Sequence, residues 1–107
     1  MNESLPASVA RLAIAGEFNI YTAAEHFARL QHALADHPGL DLDLGEVSEI
    51  DSAGVQLLLW AGRQAAGQGG RLRILAWSES VAEVVQLLQL DAALTPVGQR
   101  SGGEDLA

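Results

Sequence analysis

The chain contains no cysteine and no lysine; all six of its basic residues are arginines, set against 14 acids, for a net charge of −8. The absence of cysteine excludes disulfides and thiolate metal sites. The scarcity of positive charge speaks against a nucleic-acid binder, which needs a basic surface to displace counterions. It speaks equally against docking on anionic lipid, and for a protein partner that brings basic contacts. Acidity of this size also serves solubility. No apolar run approaches the roughly 20 residues needed to span a bilayer. The opening "MNESLPAS" lacks the basic region and apolar core of a signal peptide, so a cytoplasmic protein is expected. A length of 107 residues suggests one domain with a small core.

What is present is a regular alternation of patterns. "VARLAIA" (9–15) reads as a strand, and "GEFNIY" as the connection after it. From Thr22 to about His37 the spacing of Phe27, Leu30 and Leu34 is helical, with Thr22 and Glu25 at capping-box distance. "HPG" stops that helix. In "LDLDLG" the leucines 40, 42 and 44 face one way and Asp41 and Asp43 the other, so one strand face is covered and the other wet. After a loop at 45–51, a helix runs from Ser52 to about Gln68 until "GQGG" breaks it. "RLRILAW" is a strand that sets Arg71 and Arg73 within reach of Asp41 and Asp43 if the two strands are neighbours. Val81, Val84, Val85 and Leu88 mark a third helix, capped by Ser78 or Ser80. "ALTPV" is expected as a short last strand at a sheet edge.

This order predicts an α/β domain: about four strands in a mixed or mostly parallel sheet, with three helices mainly on one face. The domain should span residues 1–97, followed by a polar, disordered tail at 98–107.

Chemistry concentrates at "DSAG". Asp51 and Ser52 stand where an acidic loop becomes a helix, a place of unpaired N–H groups and partial positive charge. One reading makes Ser52 or Asp51 a simple N-cap. The other makes Ser52 a phosphate acceptor or partner contact, with the small Ala53 and Gly54 allowing close approach. Other constellations carry less. His26, His32 and His37 are spaced by six and five, which does not stack them on one helical face for a metal. Glu46, Glu49 and Asp51 read as a solvated acidic loop, and "GQGG" lacks the lysine of a phosphate-binding loop. Trp60 and Trp77 are either partner anchors or partly buried core. Nothing pairs a nucleophile with a base, no cofactor loop is present, and a non-enzymatic module is expected.

"VSEIDSAGVQLLLWAGRQAAGQGGRLRIL" resembles the central segment of STAS domains, the anti-sigma factor antagonist family. "GEFNIYTAAEHFARLQHAL" resembles that family's upstream block, and "SESVAEVVQLLQLDAAL" its third helix, so the likeness runs over roughly residues 9–97. The resemblance implies a partner switch: a serine kinase that is also an anti-sigma factor phosphorylates the loop serine, and a phosphatase resets it. The matching acceptor is Ser52, with Asp51, Ala53, Gly54, Glu17 and Asn19 as partner-binding neighbours. Asn19 stands where many members carry aspartate, and Ala53 where antagonists carry Ser or Thr. Ala53 resembles members that serve phospholipid-transport ABC systems, bound to the ATPase through this loop, or chemotaxis-like signalling complexes. There the serine is an interface contact. No cofactor is implied.

Overall fold

In a computed structural model, residues 9–90 together with Leu94 and Pro96 are described. The elements are β1 (Val9–Phe18), α1 (Ala23–Asp36), β2 (Gly39–Ile50), α2 (Ser52–Gly67), β3 (Leu72–Trp77) and α3 (Glu79–Leu87). The three strands form one parallel sheet in the order β1-β2-β3, with β2 in the centre. Parallel neighbours require a crossover, and each is supplied by the helix between them.

Leu40, Leu42 and Leu44 are fully buried, so the alternation in "LDLDLG" does orient the central strand. Their cover comes from Leu30 and Leu34 of α1 and Val55, Leu58, Ala61 and Ala65 of α2, joined by Val81 and Val85 of α3 in one apolar cluster. α1 and α2 lie side by side on this face, Phe27 of one tilted against Trp60 of the other at 4.8 Å between ring centroids. Trp60 is thus half-buried packing. On the opposite, wet face Asp41 pairs with Arg73, its register partner, through Nε–Oδ1 and Nη2–Oδ2 contacts of 3.0 Å each. Asp43 has no such arginine: its Oδ1 accepts from Gly45 N–H, and β3 begins one residue after Arg71.

Three expectations need correction, and a fourth, left open between two serines, is decided. The sheet has three strands among the described residues, all parallel; where a fourth was expected, Pro96 makes a single parallel bridge to Ile74. Proline has no N–H to extend a ladder. The tail at 98–107 lies outside the described residues. Second, β1 and β2 do not stop at Ala15 and Leu44 but run on to Phe18 and Ile50, pairing Glu17 with Glu49 and Phe18 with Ile50. Two register shifts let them do so, and Gly16, at φ +80°, supplies a backbone conformation that other residues resist. The extension is held because Phe18, Val47 and Ile50 bury their side chains. Third, Thr22 does not build a capping box: it makes no side-chain bond to the first turn of α1. Fourth, of the two serines offered as caps for α3, Ser78 accepts from Val81 N–H, while Ser80 donates to the Ser48 carbonyl.

Candidate functional site

Because β1 and β2 are parallel neighbours, the segments leaving their C-terminal ends emerge at the same edge of the sheet. Open α/β sheets receive ligands at that edge. The β1–α1 connection carries Asn19 to Thr22, and the β2–α2 junction carries Asp51 to Gly54. Sequence reasoning names residues on both, and the fold brings them together.

One side chain joins the two. Asp51 Oδ1 accepts from the N–H groups of Ala53 (2.9 Å) and Gly54 (3.2 Å), capping α2. Its Oδ2 accepts from Ile20 N–H across the gap at 3.0 Å. Desolvation works against the charge on Asp51, but the donors of Ile20, Gly54 and Ala53 outweigh it and hold the carboxyl below its ordinary range. The cap is therefore Asp51. Ser52 is exposed in the first turn of α2, and among the described residues its hydroxyl has no hydrogen-bond partner.

Ala53 is half-buried and Gly54 fully so. The role of Gly54 is steric: a Cβ there would stand 2.5 Å from the Phe18 carbonyl oxygen and 2.8 Å from Ile50 Cγ1. The helix start thus lies directly on the end of β1, closer than any side chain permits.

On the other loop, Glu17 is exposed, whereas Asn19 is buried at 3% exposure and acts from beneath the surface. Asn19 Nδ2 donates to Glu49 Oε2 at 2.9 Å; its Oδ1 accepts from the N–H groups of Tyr21 (2.9 Å) and Thr22 (3.3 Å). Thr22 Oγ1 accepts from Asn19 N–H at 3.1 Å and donates to the Glu17 carbonyl at 3.0 Å. The same carbonyl receives His26 Nε2–H at 3.0 Å, which fixes that tautomer since a carbonyl only accepts. His26 is a buried prop of this loop, its ring edge-on to Phe18. Among the described residues no group of three or more histidines and acids is arranged for a metal, and no helix is long and apolar enough to cross a membrane.

Five residues were not read as contributors to the site: Thr22 as a loop tie, His26, Glu49, and the exposed Ile20 and Tyr21. An Asn followed three residues later by Thr is a local turn signature and was available as a signal. The contact between Asn19 and Glu49 spans 30 residues and was not.

The sequence and the fold match known proteins. Residues 1–96 fit the family model described as Mlab, STAS domain, and the chain belongs to that family. Among solved structures, the anti-sigma factor antagonist SpoIIAA of Bacillus is similar in its unphosphorylated form, with a TM-score of 0.71 at 21% identity over 97% of this chain and 90% of that one. An anti-sigma factor antagonist from Mycobacterium paratuberculosis gives 0.73 at 20% identity, covering 99% of this chain and 86% of its own. The STAS domain of a SulP transporter from Vibrio cholerae gives 0.61 at 20% identity, over 86% and 72%. Identities this low establish a shared fold. No protein with a curated description matches the chain in sequence.

Proposed function

We propose that this chain is a non-enzymatic protein-binding module of the cytoplasm, a partner switch of the anti-sigma factor antagonist type, set by phosphorylation of Ser52. The observation that carries the reading is the division of labour at the junction. Asp51 meets the structural need of the helix start, so the Ser52 hydroxyl is left exposed, with no hydrogen-bond partner among the described residues. A phosphate there adds about −1.5 to −2 charges beside the helix N-terminus. It changes what a partner meets without altering the fold. Docking must then desolvate a dianion, which a surface shaped for a hydroxyl does not offset. The partners of this reading are a serine kinase that doubles as anti-sigma factor and a cognate phosphatase. It is supported by the likeness to SpoIIAA, a protein known in unphosphorylated and phosphorylated forms.

A second reading keeps the same surface and drops the phosphate: an accessory subunit of a phospholipid-transport ABC system or a chemotaxis-like signalling complex, with Ser52 as a contact. The likeness to a STAS domain that belongs to a transporter is in keeping with it. One experiment separates the two. Protein from its own host is mapped for phosphate, and the affinities of Ser52→Ala and Ser52→Asp for the recovered partner are compared. The switch requires phosphate on Ser52, with a kinase held by Ser52→Ala and released by Ser52→Asp. Equal affinity of the two variants refutes it, and an ABC ATPase bound to a never-phosphorylated Ser52 selects the second reading.

A further inference from the structure

Residues 19–22 form a tight turn, closed by Thr22 N–H donating to the Asn19 carbonyl at 3.0 Å. The central positions of such turns are usually taken by Gly, Asn, Asp, Pro or Ser. Here they hold Ile20 and Tyr21, which are 66% and 91% exposed. No other described large apolar side chain is as exposed as Tyr21.

The pair is not loose. Ile20 N–H is held by Asp51, while Tyr21 and Thr22 N–H groups are held by Asn19 Oδ1. Every backbone donor of the turn is satisfied from within, so the two side chains are carried outward on a fixed frame. The loss of backbone freedom that binding normally exacts has already been met in folding. Tyrosine suits such a position: it offers large contact area with few torsions to freeze, and it is enriched among interface hot spots. Among the described residues, the charged side chains that bond or adjoin the turn are all acids: Glu49 is exposed and bonded to Asn19, Asp51 is bonded to Ile20, and Glu17 is exposed at the end of β1, two residues before the turn.

We propose that Ile20 and Tyr21 are the apolar anchor by which this site holds a protein partner, and that the partner presents an apolar pocket rimmed by basic side chains. The inference rests on the reading of the site as a partner-binding surface. It assigns the binding strength to the turn and leaves to Ser52 the control of it.

The test uses the full chain in its own host. A photo-crosslinking phenylalanine analogue is placed at position 21 and, separately, at position 52, and the attached protein is identified. That protein is then produced pure, and its Kd is measured with wild type, Tyr21→Ala, Tyr21→Phe and Ser52→Asp. Tyr21→Ala should weaken binding about 30-fold and Tyr21→Phe no more than about threefold. Melting temperatures should be unchanged, because the ring touches little of its own chain. Added salt should slow association with the basic rim. A partner that is lost with Ser52→Asp but held equally by Tyr21→Ala overturns the anchor and leaves the switch standing. A partner lost with Tyr21→Ala and indifferent to Ser52→Asp keeps the anchor and overturns the switch. Crosslinking to a second copy of this chain, or to no protein at either position, overturns both.

Discussion

Replacing either of two glycines in α2 with alanine should move stability in opposite directions. Gly54 lies in the first turn and Gly62 two turns further on. In a helix, alanine is favoured over glycine by up to about 1 kcal/mol, because glycine loses more backbone freedom on folding. At Gly62 that gain meets no close contact among the described residues: a Cβ there meets Leu72 Cδ2, at an ordinary 3.8 Å. At Gly54 the Cβ would lie 2.5 Å from the Phe18 carbonyl oxygen. A backbone oxygen at the paired end of a strand cannot rotate away as a side chain does. Overpacking costs about 1–3 kcal/mol, and a contact with main chain belongs in the upper half of that range. Set against the propensity gain, Gly54→Ala should lose about 2 kcal/mol net.

For a domain of this size each kcal/mol corresponds to about 4–8 °C, so thermal unfolding followed by circular dichroism should show Gly54→Ala melting roughly 8–16 °C lower. Gly62→Ala should melt a few degrees higher. If Gly54→Ala melts at or above wild type, the close approach of α2 to β1 is not what requires glycine there. If both variants fall together, helix propensity is not the operating variable at Gly62.

Two further outcomes follow from the polar contacts. The Arg73 hydrogen bond, assisted by its charge and opposed by desolvation, holds the Asp41 carboxyl below its ordinary 3.8. A depressed folded-state pKa means that stability is fully present above the unfolded value and lost as pH falls through the folded one. The stability difference between wild type and Asp41→Asn should therefore be constant near neutrality and close below about pH 4; a gap that widens with acid contradicts the pairing. Asn19→Asp should lower stability by about 1–3 kcal/mol at pH 7, because it sets a buried carboxylate against Glu49 in place of a hydrogen bond. Urea unfolding should show recovery on adding Glu49→Gln, and no loss at pH 7 would refute the account.

The parts of the fold that were legible are those in which local pattern and burial agree. Leu40, Leu42 and Leu44 alternate cleanly with two aspartates, so strand, orientation and the Asp41–Arg73 pairing could all be anticipated. The later halves of β1 and β2 could not. "AGEF" and "GEVSEI" mix glycine and acids with apolar residues at irregular spacing, and the bulges that reconcile them exist only once the strands are paired. The site divides likewise. Asp51 and Ser52 were legible as a helix start, but not which of the two caps it, nor that Ile20, 31 residues away, takes the second oxygen of Asp51. Asn19 was legible as part of the site but not as buried, since that depends on Glu49 and the turn closing over it.

That choice explains why an acid precedes the hydroxyl. A helix N-terminus alone is served by one acceptor oxygen, and serine, asparagine or aspartate can provide it. Here two loops from adjacent strands are held together at their tips, and both meet Asp51 through N–H donors. A serine at position 51 offers a single short-reaching oxygen. An asparagine there would cap α2 with its oxygen and turn an NH2 donor toward the Ile20 N–H. Only a carboxylate accepts on both sides, Oδ1 from α2 and Oδ2 from the turn. With that task confined to Asp51, the neighbouring hydroxyl bears no structural load among the described residues. On the switch reading proposed above, esterification of that hydroxyl leaves the frame intact, and the turn that displays Ile20 and Tyr21 stays fixed while the charge beside it changes.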